Sequence, residues 1–169
     1  VYLADYDITT EITPTERAAV FRFTFPENEF SSVVVDAFDR GSSIQILPDE
    51  QKIIGYTTRN SGGVPENFKN YFVIEFSKPF SQVSAVADQV VKGGTTEAEA
   101  NHAGAIVGFS THRGEVVQAR VASSFISYEQ AERNLQEIGD RSFEAVCAEA
   151  KATWNETLGK IEVNDNNID

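Results

Sequence analysis

Val20-Phe21-Arg22-Phe23-Thr24-Phe25 alternates apolar and polar residues at a period of two, which places three phenylalanines on one face of a β-strand. Pro26 follows directly and cannot donate a ladder hydrogen bond, so Pro26-Glu27-Asn28 ends the strand. Burying the Phe face requires a second layer. Outward from this stretch, similar short runs recur at 32–38, 44–47, 52–58, 70–76, 83–87, 105–109 and 116–126, rich in β-branched and aromatic residues and separated by Gly, Pro, Asn or Asp. The region from Ile8 to about Ser127 therefore reads as all-β. Many short strands with no helix between them predict a mainly β fold: antiparallel sheets packed face to face as a β-sandwich. Within it, the polar stretch Gly93–Asn101 reads as a loop, and Gly62-Gly63 and Gly93-Gly94 read as turns.

The pattern changes at Ser127. Ser127 with Gln130 has the form of a capping box, and Tyr128, Ala131, Leu135 and Ile138 follow at helical spacing up to Gly139. A second helix starts after Ser142, with Phe143, Val146, Cys147, Ala150, Trp154 and Leu158 on one stripe and Gly159 as its stop. Lys160–Val163 reads as extended and Asn164–Asp169 as a polar, fraying tail. The stripe needs a cover, because leaving its large side chains in water forgoes about 1.5 to 3 kcal/mol each. Either the domain's own sheet or a following domain can supply it.

The chain's 169 residues fit one domain with a short appendage. A net charge of −12 would repel a polyanion, so nucleic acid is not an expected partner. No apolar run reaches the ~20 residues of a membrane-spanning helix, and no membrane partner is expected. Cys147 is the single cysteine, so no intrachain disulfide can form; on an apolar stripe it reads as a small buried hydrophobe. The sequence opens on Val and has no Met, which suggests a piece of a longer polypeptide.

Little in the chain announces chemistry. His102 and His112 stand ten positions apart with no metal-ligand spacing around them, and His102 reads as an exposed loop residue. No nucleophile elbow or phosphate loop occurs. Asp165–Asp169 has the beginning of a calcium loop but lacks its Gly and distal Glu, and the sequon Asn155-Glu156-Thr157 falls within the second helix. Carboxylates are too numerous for spacing to single out a glycosidic acid–base pair. The stretch richest in ligand-binding groups is Tyr56–Phe68, which joins aromatic rings, an Arg, amides and a carboxylate in one loop after a strand; planar apolar faces flanked by hydrogen-bonding groups hold sugars.

Several separated motifs together resemble the N-terminal domain of glycoside hydrolase family 92 α-mannosidases. They are Thr13-Pro14-Thr15-Glu16-Arg17 running into Val20–Pro26, Asn70–Phe80, Ser124–Ser127 with Gln130-Ala131 and Asn134-Leu135, and Ala150–Val163. The resemblance covers roughly Ile8 to Val163. It implies a galactose-mutarotase-like supersandwich over residues 1–126, a helical linker over 127–163 leading to a missing (α/α)6 catalytic domain, and a polar tail over 164–169. It further implies an inverting, exo-acting, calcium-dependent enzyme, bacterial and periplasmic or secreted, that cleaves α-mannosides from glycans. The catalytic acid and base and the calcium ligands are then expected in the missing domain, with this chain inactive alone. Asn60, Ser61, Gly62, Gly63 and Phe68 are expected to line the rim of the sugar pocket. Some family members carry a tryptophan in or beside this loop, whereas the only Trp here is Trp154. The resemblance also favours the following domain as the cover for the last helix. Two other readings use the same residues: a stand-alone carbohydrate-binding module, and a mutarotase-like epimerase working through His102 or His112 with a Glu.

Overall fold

The computed structural model describes residues 1–161. Among these residues twelve strands form two sheets: β1 (Tyr2–Leu3), β2 (Ile8–Pro14), β3 (Ala18–Phe25), β4 (Asn28–Asp36), β5 (Ser42–Leu47), β6 (Lys52–Thr57), β7 (Asn70–Phe76), β8 (Gln82–Ala87), β9 (Val90–Gly93), β10 (Glu97–Ala100), β11 (Ala103–Thr111) and β12 (Glu115–Ser124). The larger sheet has the order β1-β2-β3-β12-β7-β6-β5-β10 and the smaller β4-β11-β8-β9, with every pairing antiparallel. This is the expected mainly β sandwich.

Alternation decides which side chains meet between the sheets. Phe25 is buried there with Ile44, Ile46, Ile53, Ile74, Phe76, Val107, Phe109 and Val117, while Phe21 and Phe23 pack against this core only partly buried. Phe109 anchors it, with ring centroids 5.8 to 6.4 Å from those of Phe76, Phe80 and Phe25. Residues of opposite parity on β3 and β12 face away. Ala18, Val20 and Ala122 join Ile138, Phe143 and Val146 in a second cluster, so the helices cover the outer face of the larger sheet.

The first helix, α1 (Tyr128–Leu135), is capped by Ser127, whose hydroxyl accepts from the Gln130 amide at 3.2 Å. The Gln130 side chain does not reach back; its Nε2 donates to Asn134 Oδ1, and Asn134 Nδ2 donates to the Ser123 carbonyl. That side-chain bond to β12 ties helix to sheet. α1 stops at Leu135 rather than near Gly139, and Gln136–Asp140 is turn, closed by Gly139 at φ 56°. Ile138 reaches the second cluster from that turn, which explains its helix-like spacing. The other helix, α2 (Phe143–Leu158), starts after Ser142 as read from sequence, and the Ser142 hydroxyl caps it by accepting from the Ala145 amide.

The stretch Gly93–Asn101 is not a loop. Glu97–Ala100 pairs with β5 as the outermost strand of the larger sheet, and Val90–Gly93 pairs with β8. His102 is correspondingly half-buried, with Nε2 2.6 Å from Asp36 Oδ1 and its amide donating to Asp88. Lys160 lies in a turn, not an extended segment; the reading of Glu162-Val163 as extended and of 164–169 as a polar tail lies outside the described residues.

Candidate functional site

One end of the larger sheet carries the sequence-selected loop. It connects the end of β6 to the start of β7, and β12 pairs with β7 so that Ser124 lies opposite Tyr71. The chain leaving β12, Phe125–Ser127, therefore emerges beside Phe68. The two rings sit 5.5 Å apart, with Phe125 69% exposed and Phe68 half-buried beneath it.

A tyrosine cluster sits where β6 enters and β7 leaves the loop. Tyr71 is 6.2 Å from Tyr56 and 4.8 Å from Tyr128, both edge-on, and Lys69 Nζ stands 3.7 Å over the Tyr56 ring. The Tyr56 hydroxyl donates to Glu99 Oε1 at 2.9 Å, across from β10. Burial, and then Glu99, hold the Tyr56 phenol above its ordinary range; burial, and then Tyr71 and Glu99, do the same for Tyr128. These phenols stay neutral hydrogen-bonding groups rather than proton carriers at neutral pH.

Within the loop, Ser61, Gly62 and Gly63 are exposed, and both glycines have left-handed backbones, φ 105° and 74°. Asn60 plays a different part. Its Oδ1 accepts from the Gly62 amide at 2.8 Å and its Nδ2 donates to the Thr58 carbonyl, so its side chain shapes the loop from inside. The surface offered outward is the Ser61-Gly62-Gly63 backbone together with the Phe68 and Phe125 rings. Phe125, Tyr71, Tyr128 and Glu99 are not among the site residues expected from sequence. The one available signal was Phe125-Ile126, two consecutive apolar residues just before a helix cap and both exposed.

The arrangement presents apolar ring faces beside backbone and carboxylate groups, among them the exposed Glu66. Glu99 is engaged by Tyr56 and Asp39 by Arg59. Among the described residues no three His, Cys, Asp or Glu side chains converge, so no carboxylate cage for calcium forms there. The histidines are engaged away from the loop: His102 Nε2 meets Asp36 Oδ1, and the His112 amide donates to Glu115 Oε2 in the turn between β11 and β12.

A second feature lies where α2 leaves the sheet. Phe143 and Val146 are 5% and 1% exposed, whereas Trp154 and Leu158 are 59% and 64% exposed. The predicted stripe is thus divided, its first half on this domain's own sheet. A groove of about 580 Å³ runs beside it, bordered by Pro14–Arg17, Glu137, Arg141 and Trp154.

The family model for the glycosyl hydrolase family 92 N-terminal domain matches residues 1–124. The chain belongs to glycosyl hydrolase family 92, as its N-terminal domain. Solved structures extend the likeness through the helices. The family GH92 inverting mannosidase BT2199 from Bacteroides thetaiotaomicron is 38% identical over 95% of this chain, with a TM-score of 0.89. The α-mannosidase BT3965 of the same organism, solved in complex with mannoimidazole, is 28% identical over 98% of this chain, with a TM-score of 0.86. The GH92 glycosyl hydrolase ccman5 is 27% identical over 93%, with a TM-score of 0.80. This chain spans only 21 to 23% of those three chains. No curated protein sequence matches it.

Proposed function

We propose that this chain is the non-catalytic N-terminal domain of an inverting exo-α-mannosidase, and that its loop end forms part of the wall around the substrate sugar. Asn60, Ser61, Gly62, Gly63 and Phe68 are the rim residues, Asn60 by setting the loop and the others by facing the glycan; Phe125 joins them. The single observation that carries the reading is the pairing of the exposed Phe125 ring with Phe68 beside a glycine loop, in a domain of a mannosidase family. An inverting hydrolase needs two carboxyl groups roughly 6.5 to 9.5 Å apart with a water between one of them and the sugar. In this proposal both come from a following (α/α)6 domain, together with the calcium ligands, and the exposed half of α2 faces that domain. The enzyme works in the periplasm or outside the cell, on α-mannoside glycans.

The test uses the longer protein that carries this domain. It should hydrolyse α-linked mannobioses and release β-mannose first, seen by proton NMR. Phe68→Ala should raise KM about tenfold, the size of one lost ring contact. Release of α-mannose first would contradict inversion, and an unchanged KM would remove Phe68 from the rim. A folded isolated domain that binds mannose oligosaccharides tightly would instead favour a stand-alone carbohydrate-binding module.

A further inference from the structure

Next to the glycine loop stands a turn where the sequence pattern predicts a strand running to Phe38, although β4 ends at Asp36. Phe38, Arg40 and Gly41 all have left-handed backbones, at φ 65°, 75° and 105°. Gly accepts this readily; a bulky aromatic residue seldom does. Among the described residues Phe38 is the one aromatic residue so placed. Its ring is not spent on the core either: it belongs to neither hydrophobic cluster and is 55% exposed.

The turn is held in this shape from both sides. Asp36 Oδ1 accepts from the Phe38 amide at 2.8 Å and is itself engaged by His102 Nε2 at 2.6 Å. The Ser42 hydroxyl donates to the Phe38 carbonyl at 2.8 Å, and the Thr58 hydroxyl contacts the carbonyls of Arg40 and Gly41. Two further contacts clamp the turn to the rim loop: Arg40 Nη1 donates to the Asn60 carbonyl at 3.1 Å, and Arg59 pairs with Asp39. A strained backbone that its surroundings over-determine, and that displays an aromatic ring, points to a use for the ring.

We propose that the Phe38–Gly41 turn is a second wall of the sugar site, with Phe38 as a specificity-determining residue whose ring rests against the apolar face of a pyranose of the bound glycan. This rests on the reading of the neighbouring loop as the rim. The clamp through Arg40 and Asn60 would then set the spacing between the two walls, which fixes how wide a glycan branch can enter.

Steady-state hydrolysis of α-1,2-, α-1,3- and α-1,6-linked mannobioses by the longer protein tests it, with Phe38→Asn and Phe38→Tyr compared to wild type. Asn tolerates the left-handed backbone and removes the ring; Tyr keeps the ring. Phe38→Asn should raise KM about five- to tenfold for at least one linkage, with kcat within twofold and the melting temperature unchanged or higher, and Phe38→Tyr should stay near wild type. KM unchanged for every linkage overturns the proposal. So does a lower melting temperature with kcat falling equally for all three, which marks a ring that packs on another domain. If Phe68→Ala also leaves KM unchanged, the rim reading fails with it; if Phe68→Ala raises KM and Phe38→Asn does not, this proposal alone fails.

Discussion

Gly55 sits in the middle of β6, where a Cβ would overlap both the Phe72 ring and the Ser43 carbonyl of the neighbouring strand. Only Gly leaves room there for the Phe72 ring, and nothing in the local sequence announces it, because the clash comes from β7 and β5. Glu137 offers a contrast in polar chemistry. Burial pushes its carboxyl up, but the Arg17 guanidinium, the Thr15 hydroxyl and the Arg17 amide outweigh that and hold it below the usual range. A carboxyl depressed in the folded state stabilises the fold above its unfolded pKa and loses that contribution as pH falls through the folded value. Glu137→Gln should therefore be less stable than wild type in urea unfolding at pH 7, and the gap should close as pH falls below about 4.3, the ordinary Glu pKa. A gap independent of pH would mean that the ionised carboxylate contributes nothing. Most of the candidate site is legible at this scale only in part. The composition of Tyr56–Phe68 marks the loop, but it does not reveal that Asn60 turns inward, nor that Phe38 stands strained beside it.

Among the elements, the long alternating strands were readable because each carries its own inside and outside. β9 and β10 were not. Val90–Gly93 is exposed along its whole length, and Glu97–Ala100 offers only Ala98 to the core, so the partners β8 and β5, rather than an apolar pattern, make them strands. α2 was readable from its stripe, but a stripe does not say how many covers share it. The division predicts opposite outcomes along one helix in the isolated chain. Phe143→Ala should cost about 3 to 5 kcal/mol, since its ring is buried with the Arg22 guanidinium 4.1 Å above it. Trp154→Ser should change stability by about 0.5 kcal/mol or less. Urea denaturation of both variants checks this, and a large loss for Trp154→Ser would show that the exposed half is covered within the chain.

For the whole molecule, topology supplies what no local pattern holds. The order β12-β7-β6-β5-β10 brings Phe125 and Glu99 from distant parts of the sequence to the Tyr56–Phe68 stretch, so those partners of the loop become visible only once the sheet is assembled. The net charge of −12 is no obstacle to a neutral glycan, while it disfavours polyanions. The central claim is that the domain shapes a sugar site whose reacting groups lie elsewhere. The most direct measurement is hydrolysis of α-linked mannobioses by the isolated 169-residue chain, with calcium present and circular dichroism showing that the chain is folded. The account predicts no turnover above the uncatalysed rate; turnover approaching that of the longer protein would contradict it.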